Sequence, residues 1–260
     1  MNLYYRVLGN ENDADGLKKK PLFILHGLFG SSDNWQTLAK KFAERYVVYL
    51  VDQRNHGHSP HAEDFNYDLM ADDFYTLVKD LGLSKINVIG HSMGGKTVIN
   101  FVTKHADLLD KMIVVDISHK KYPMHHEQIL KGLNAIDLTQ VKTRGNADKI
   151  LVEYVAEIGV RQFLLKNLYW IEKGQLGWRI NIPVLSREIH QIIDTIAFDT
   201  IDADTLFIRG GRSNYILESE YKEINEKFTQ AEIYSIEESG HWVHAEAPAE
   251  FYSAVVDFLQ

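Results

Sequence analysis

The 260-residue sequence predicts an α/β architecture: a mostly parallel central sheet with helices on both faces and a helical insertion after the fifth strand. Three features predict it. Short apolar runs alternate with longer segments of helical periodicity, the pattern of a parallel sheet joined by crossover helices. Glycines and polar residues gather where the runs end, the edge at which open α/β sheets hold their ligands. The alternation lapses after Asp116 and resumes at Thr205, which sets residues 119–200 apart.

Taken in order, Asn2 to Gly9 reads as a strand and the polar residues 10–20 as an exposed loop. Pro21 to Leu25 is an apolar strand that ends in His26-Gly27-Leu28-Phe29-Gly30. A helix over Trp35 to Arg45, capped by Asp33 or Asn34, carries Trp35, Leu38, Ala39 and Phe42 on one face. Tyr46 to Val51 is a strand closing on the polar loop Asp52 to Pro60, and Tyr67 to Leu81 a helix. Ile86 to Ile89 is a strand, Lys96 to Leu109 its helix, and Lys111 to Ile117 the next strand. Residues 119–200 show helical patterns at Leu130 to Ile136, Ala147 to Ile158, Arg161 to Tyr169 and Ser186 to Ile196. Then come a strand at Thr205 to Arg209, a helix at Tyr221 to Phe228 and a strand at Glu232 to Ile236. A closing helix, Pro248 to Leu259, has proline in its first turn. The expected division is a core of residues 1–118 and 201–260 beneath a helical cap of residues 119–200.

Composition narrows the function. A net charge of −8 with no basic block longer than Lys18 to Lys20 argues against nucleic acid or an anionic membrane as partner. The chain has no cysteine, so disulfides, thiol catalysis and cysteine metal sites are excluded. Met1 to Asn10 lacks a basic stretch followed by an apolar one, and no apolar run is long enough for a bilayer. The expectation is a cytoplasmic protein. Monomer and homodimer both stay open.

The chemistry centres on Gly90-His91-Ser92-Met93-Gly94, a G-x-S-x-G motif between strand and helix. In that context the serine stands on a sharp turn with its hydroxyl beyond the sheet, and a β-carbon at position 90 or 94 would clash. A serine hydroxyl needs a base within hydrogen-bond reach. Among 12 histidines, His241 holds the right slot, between the last strand and the last helix, with His244 as competitor. His56, His58, His61, His125 and His126 read as loop or surface residues, and the adjacent pair His125-His126 is a poor metal site. The acid that orients the imidazole is Asp116, at the end of the strand after the motif's helix, in preference to Glu218. The loop Gly210 to Tyr215 carries no carboxylate. An oxyanion would be met by the Met93 N–H, at a helix start, and the Leu28 N–H, with Phe29 as fallback.

Together His26 to Ser31, Asp52 to Ser59 in the form D-x-R-N-H-G-x-S, GHSMGGK over Gly90 to Lys96 and GHWVHAE over Gly240 to Glu246 resemble the α/β-hydrolase superfamily. More narrowly they resemble small bacterial esterases of the YbfF type and their mitochondrial abhydrolase relatives. The resemblance implies an acyl-ester hydrolase with no metal or organic cofactor, its acid after the strand that follows the motif. The substrate would be a small ester with a short acyl chain, or a thioester. Asp52 and Arg54 read as residues that hold loops together. Phe29, Phe163, Leu164, Tyr169, Trp178 and Trp242 are candidates for lining the substrate pocket. Two rivals keep the same triad: C–C hydrolysis or an elimination of the menaquinone-pathway type, and a ligand receptor with little turnover.

Overall fold

The computed structural model describes residues 1–260. Its first half opens with two strands, β1 (Tyr5–Leu8) and β2 (Pro21–Leu25), and then alternates: α1 (Gln36–Phe42), β3 (Val47–Val51), α2 (Tyr67–Asp80), β4 (Ile86–His91), α3 (Met93–His105) and β5 (Leu109–Val115). The insertion follows as α4 (Glu127–Asn134), α5 (Arg144–Leu151), α6 (Ile158–Leu165), β6 (Leu168–Glu172), β7 (Gln175–Trp178) and α7 (Ile182–Ile192). The chain closes with β8 (Thr205–Gly210), α8 (Tyr221–Lys227), β9 (Ala231–Ile236), α9 (Val243–Glu246) and α10 (Pro248–Leu259).

Seven strands form one sheet in the order β1-β3-β2-β4-β5-β8-β9. All neighbours pair in parallel except β1, which runs antiparallel to β3 at the edge. The central strands are mostly apolar, and β4 and β8 are buried at every position, because both faces are covered. Phe23 and Leu25 of β2 join one core, with α2 and α3, while Leu22 and Ile24 join the other, with α1 and α10. At the edge, where one side meets solvent, Val7 of β1 is half exposed. No helix is long and apolar enough to cross a membrane.

The insertion departs from its all-helical expectation. Residues 168–178 form a two-stranded antiparallel hairpin, not the end of a helix reaching Tyr169. Tyr169, Trp170 and Ile171 are strand formers, and Gly174, at φ 86°, makes the turn. Helix α7 begins at Ile182, ahead of the expected Ser186, with Pro183 in its first turn. Lys96 of α3 holds both ends of the insertion: its buried ammonium donates to the carbonyls of Lys120 and Asp194. Tyr67 of α2 adds a third tie, its hydroxyl donating to the Ile192 carbonyl at 2.8 Å.

Candidate active site

Strand β4 and helix α3 meet at Ser92 with almost no space between them. A β-carbon on Gly90 would lie 2.4 Å from the Gly94 carbonyl oxygen, and one on Gly94 2.3 Å from that of Leu25. Ser92 takes φ 51° and ψ −117°, a strained combination for an L-residue, and its N–H donates to Val115 at 3.0 Å. The side chain opens into a cavity of about 360 Å³, whose walls include His26 to Gly30, His91, Phe163, Tyr215, His241 and Trp242.

Asp116, the first residue beyond β5, has φ 47° and is wholly buried. Its carboxylate accepts from the Gly210 N–H at 3.1 Å, from the Ser213 hydroxyl, and from His241 Nδ1 at 2.7 Å. Buried carboxylates need such partners. With Nδ1 so engaged, His241 Nε2 is left as the basic nitrogen. Glu218 is elsewhere: its exposed side chain lies 3.9 Å from Arg209 and touches no histidine.

The imidazole is fixed from two further sides. Tyr215 stacks on it with centroids 4.0 Å apart and an interplanar angle of 16°. The Tyr215 hydroxyl bonds to His125 Nε2, while His125 Nδ1 donates to the Pro123 carbonyl. His91, which also borders the cavity, binds the His241 carbonyl through Nε2 at 2.9 Å. A carbonyl only accepts, so this nitrogen carries the proton. Burial, and then the nearby His244 and His241, hold the pKa of His91 well below the usual histidine value. His244 is stacked on Trp35, and burial brings its pKa to about 3.

Two residues beside Ser92, Met93 next in the chain and Leu28 on the same cavity, leave their N–H groups without a backbone acceptor. Met93 starts α3, so its N–H has no helical acceptor. The Leu28 N–H likewise meets no backbone acceptor. Phe29 is not available as an alternative, because its N–H donates to His56 Nε2 at 3.2 Å. Phe29 sits at φ 61° and is pinned at both ends, its carbonyl accepting from Asn167 Nδ2 at 2.8 Å.

His56 is therefore a correction to the expectation of a loop or surface residue. It lies in a loop but is fully buried, with Nδ1 donating to the Arg54 carbonyl. Burial, and then His26, bring its pKa to about 3. Around it, the D-x-R-N-H-G-x-S loop is a set of braces. Asp52 accepts from the Ser32 and His58 N–H groups, and Arg54 pairs with Asp73 at 2.7 Å. Gln53 links His26 to Thr97.

Of the candidate pocket residues, Phe29, Phe163, Leu164 and Trp242 line the cavity. Tyr169 and Trp178 do not. Both belong to the hairpin, where Tyr169 lies under the Arg179 guanidinium at 3.9 Å and opposite Gly177. His125, His126, Ile129, Val160 and Tyr215 line the cavity without having been singled out for it. Most of them sit in loops or at helix starts, where no periodicity marks them; the aromatic Tyr215 directly after Ser213-Asn214 was the one available signal.

Comparison with known proteins places this chain in a family. The family model described as alpha/beta hydrolase fold matches residues 20–144. The sn-1-specific diacylglycerol lipase ABHD11 of Danio rerio is 37% identical over 269 residues, covering 100% of this chain and 83% of its own. Esterase YbfF of Escherichia coli (strain K12) is 36% identical over 240 residues, 92% of each chain. Among solved structures, a marine microorganism esterase superposes with a TM-score of 0.94 at 38% identity, covering 99% of both chains. The chain belongs to the α/β hydrolase family.

Proposed function

We propose that this chain, a carboxylic ester hydrolase, cleaves small esters by two-step acyl transfer through Ser92, His241 and Asp116. His241 Nε2 takes the proton of the Ser92 hydroxyl as its oxygen attacks the ester carbonyl. The oxyanion is met by the Leu28 and Met93 N–H groups, the latter helped by the α3 dipole. His241 then returns the proton to the departing alkoxide, leaving an acyl-serine that water hydrolyses by the same route in reverse. Asp116 keeps the imidazole in the tautomer with Nε2 free and stabilises its cation. Thioesters present the same carbonyl and fall within this chemistry.

The observation that carries the reading is the 2.7 Å bond from His241 to Asp116 beside the cavity that Ser92 lines. The strain at Ser92 and Asp116 supports it, since left-handed backbone at non-glycine residues is costly and persists where function requires it. In the same reading residues 119–200 act as a cap; the support is that Phe163, Val160 and His126 close the cavity from that side. Esterase names among the relatives support ester bonds over C–C bonds.

The test is Ser92→Ala assayed on p-nitrophenyl esters, with a fluorophosphonate as active-site label. Turnover falls on the order of 10⁶-fold, and the label, found on the Ser92 peptide of the native protein, is absent from the variant. Near-native turnover by Ser92→Ala would sink the mechanism.

A further inference from the structure

The insertion joins the core through a narrow neck. Its outgoing segment, residues 119–122, and its returning segment, residues 193–196, bond to each other. The Ile196 N–H donates to the His119 carbonyl and the Tyr122 N–H to that of Ile193, both at 2.8 Å. From the core side, the buried Lys96 ammonium clasps both segments through the Lys120 and Asp194 carbonyls. Tyr122 also reaches back toward the triad. Its hydroxyl accepts from the Ser118 N–H, two residues past Asp116, at 2.8 Å. The single hydroxyl proton then goes to the Tyr215 carbonyl at 3.0 Å, nearer than the Ser118 Oγ at 3.3 Å.

We propose that Tyr122 is a positioning residue for the catalytic base: by holding the Tyr215 backbone it sets the plane of the His241 ring, and so ties acyl transfer to the neck of the insertion. This rests on the acyl-transfer reading above. The Tyr215 ring lies nearly flat on the imidazole, with centroids 4.0 Å apart and an interplanar angle of 16°. An imidazole covered on that face cannot tilt toward it, and Nε2 stays aimed while Nδ1 is held by Asp116. The π face also favours the imidazolium that forms when His241 takes the serine proton. Both effects require the Tyr215 backbone to stay in place, and it has an anchor at each end. Its N–H donates to the Ser213 hydroxyl oxygen at 3.2 Å, whose own proton goes to Asp116, and its carbonyl accepts from Tyr122. The first anchor belongs to the triad's own network; the second carries the position of the neck.

Tyr122 is itself held firmly enough to act as the fixed point. It is buried, and its ring packs against that of Tyr215 with centroids 5.2 Å apart. The ammonium groups of Lys96 and Lys120 each stand 5.0 Å from its ring centroid, and Lys120 is held there by Glu220. Burial raises the pKa of the phenol above its usual value, so the hydroxyl keeps the proton it donates. Tyr67 offers the contrast. Its hydroxyl also binds the insertion, at the Ile192 carbonyl 2.8 Å away, but Ile192 ends α7 and makes no hydrogen bond to Tyr215 or His241.

The experiment measures kcat and KM for p-nitrophenyl acetate, and the rate at which a fluorophosphonate labels Ser92, in wild type, Tyr122→Phe and Tyr67→Phe. Each variant keeps its ring and deletes one hydroxyl that binds a carbonyl, so the urea midpoints of the two fall by similar small amounts. Tyr122→Phe lowers kcat about tenfold, the scale of a slight misplacement of a catalytic group, with KM within about twofold of wild type. Both half-reactions use His241, so the fall is seen whichever step limits turnover. Labelling slows by a similar factor, because it needs the same base. Tyr67→Phe keeps native kcat and native labelling. Native kcat in Tyr122→Phe overturns the proposal. So does an equal fall in Tyr67→Phe, which would reduce both hydroxyls to braces of the insertion, and so does a change confined to KM, which would make Tyr122 a binding residue. Any of these with Ser92→Ala inactive leaves the serine mechanism standing; ester turnover surviving Ser92→Ala removes that mechanism whatever Tyr122 does.

Discussion

Replacing His56 with glutamine separates its charge from its hydrogen bonds. In the fold, His56 Nε2 accepts from the Phe29 N–H and Nδ1 donates to the Arg54 carbonyl, a pairing only the neutral ring can make. Its pKa is about 3 in the fold against 6.5 in the unfolded chain. Because the folded value is depressed, the unfolded chain takes up the proton first as pH falls. The contribution to stability is intact above pH 6.5 and is lost progressively toward pH 3. At about 1.4 kcal/mol per pH unit, the loss between pH 7 and pH 4 is about 3 kcal/mol from this one side chain. Glutamine can still accept from Phe29 but cannot titrate. His56→Gln is therefore less stable than wild type by about 1 kcal/mol at pH 7, and its deficit turns into an advantage of about 2 kcal/mol at pH 4. Urea unfolding followed by tryptophan fluorescence at pH 7, 5.5 and 4 measures both curves. Curves that stay parallel would mean that His56 is charged or solvated in the native protein, and the argument for a neutral brace under Phe29 would fail.

Two other changes probe the frame around the nucleophile. Gly94→Ala places a methyl group 2.3 Å from the Leu25 carbonyl oxygen, where only backbone could yield; the variant loses about 3 kcal/mol in urea unfolding, and an unchanged midpoint would contradict the close approach of β2 to the turn. Asn167→Ala frees the Phe29 carbonyl and loosens the loop bearing the Leu28 N–H; kcat on p-nitrophenyl acetate falls about tenfold with KM little changed, and a change confined to KM would make Asn167 a binding residue instead.

Much of this was legible in the sequence, for physical reasons that can be traced. The buried strands of a parallel sheet have little polar side to confuse their edges, and Pro21–Leu25 and the Leu206 to Ile208 stretch of the strand read at Thr205 to Arg209 stand out as apolar runs. The turn at Ser92 announces itself because two glycines are required on either side. Asp116 could be preferred over Glu218 because a carboxylate at the end of an apolar strand must find a partner. The insertion was harder to read. Its hairpin follows a helix of similar hydrophobicity, and a helix ending at Tyr169 uses the same apolar residues as a strand starting at Leu168. His56 looked like a solvated loop residue because nothing local reveals that Phe29, on another loop, turns its N–H toward it. Tyr215 and His125 matter through stacking and a hydrogen bond between distant segments, and such contacts leave no period in the chain.

The role of Asp116 is the central claim, and its most direct measurement is kcat on p-nitrophenyl acetate for Asp116→Asn beside Glu218→Gln. Asparagine keeps the shape at position 116 but removes the charge that holds the Nδ1–H tautomer of His241. The account predicts a fall of about 10⁴ for Asp116→Asn and no change for Glu218→Gln, whose side chain lies exposed beside Arg209. Native turnover in Asp116→Asn, or its loss in Glu218→Gln, would contradict it.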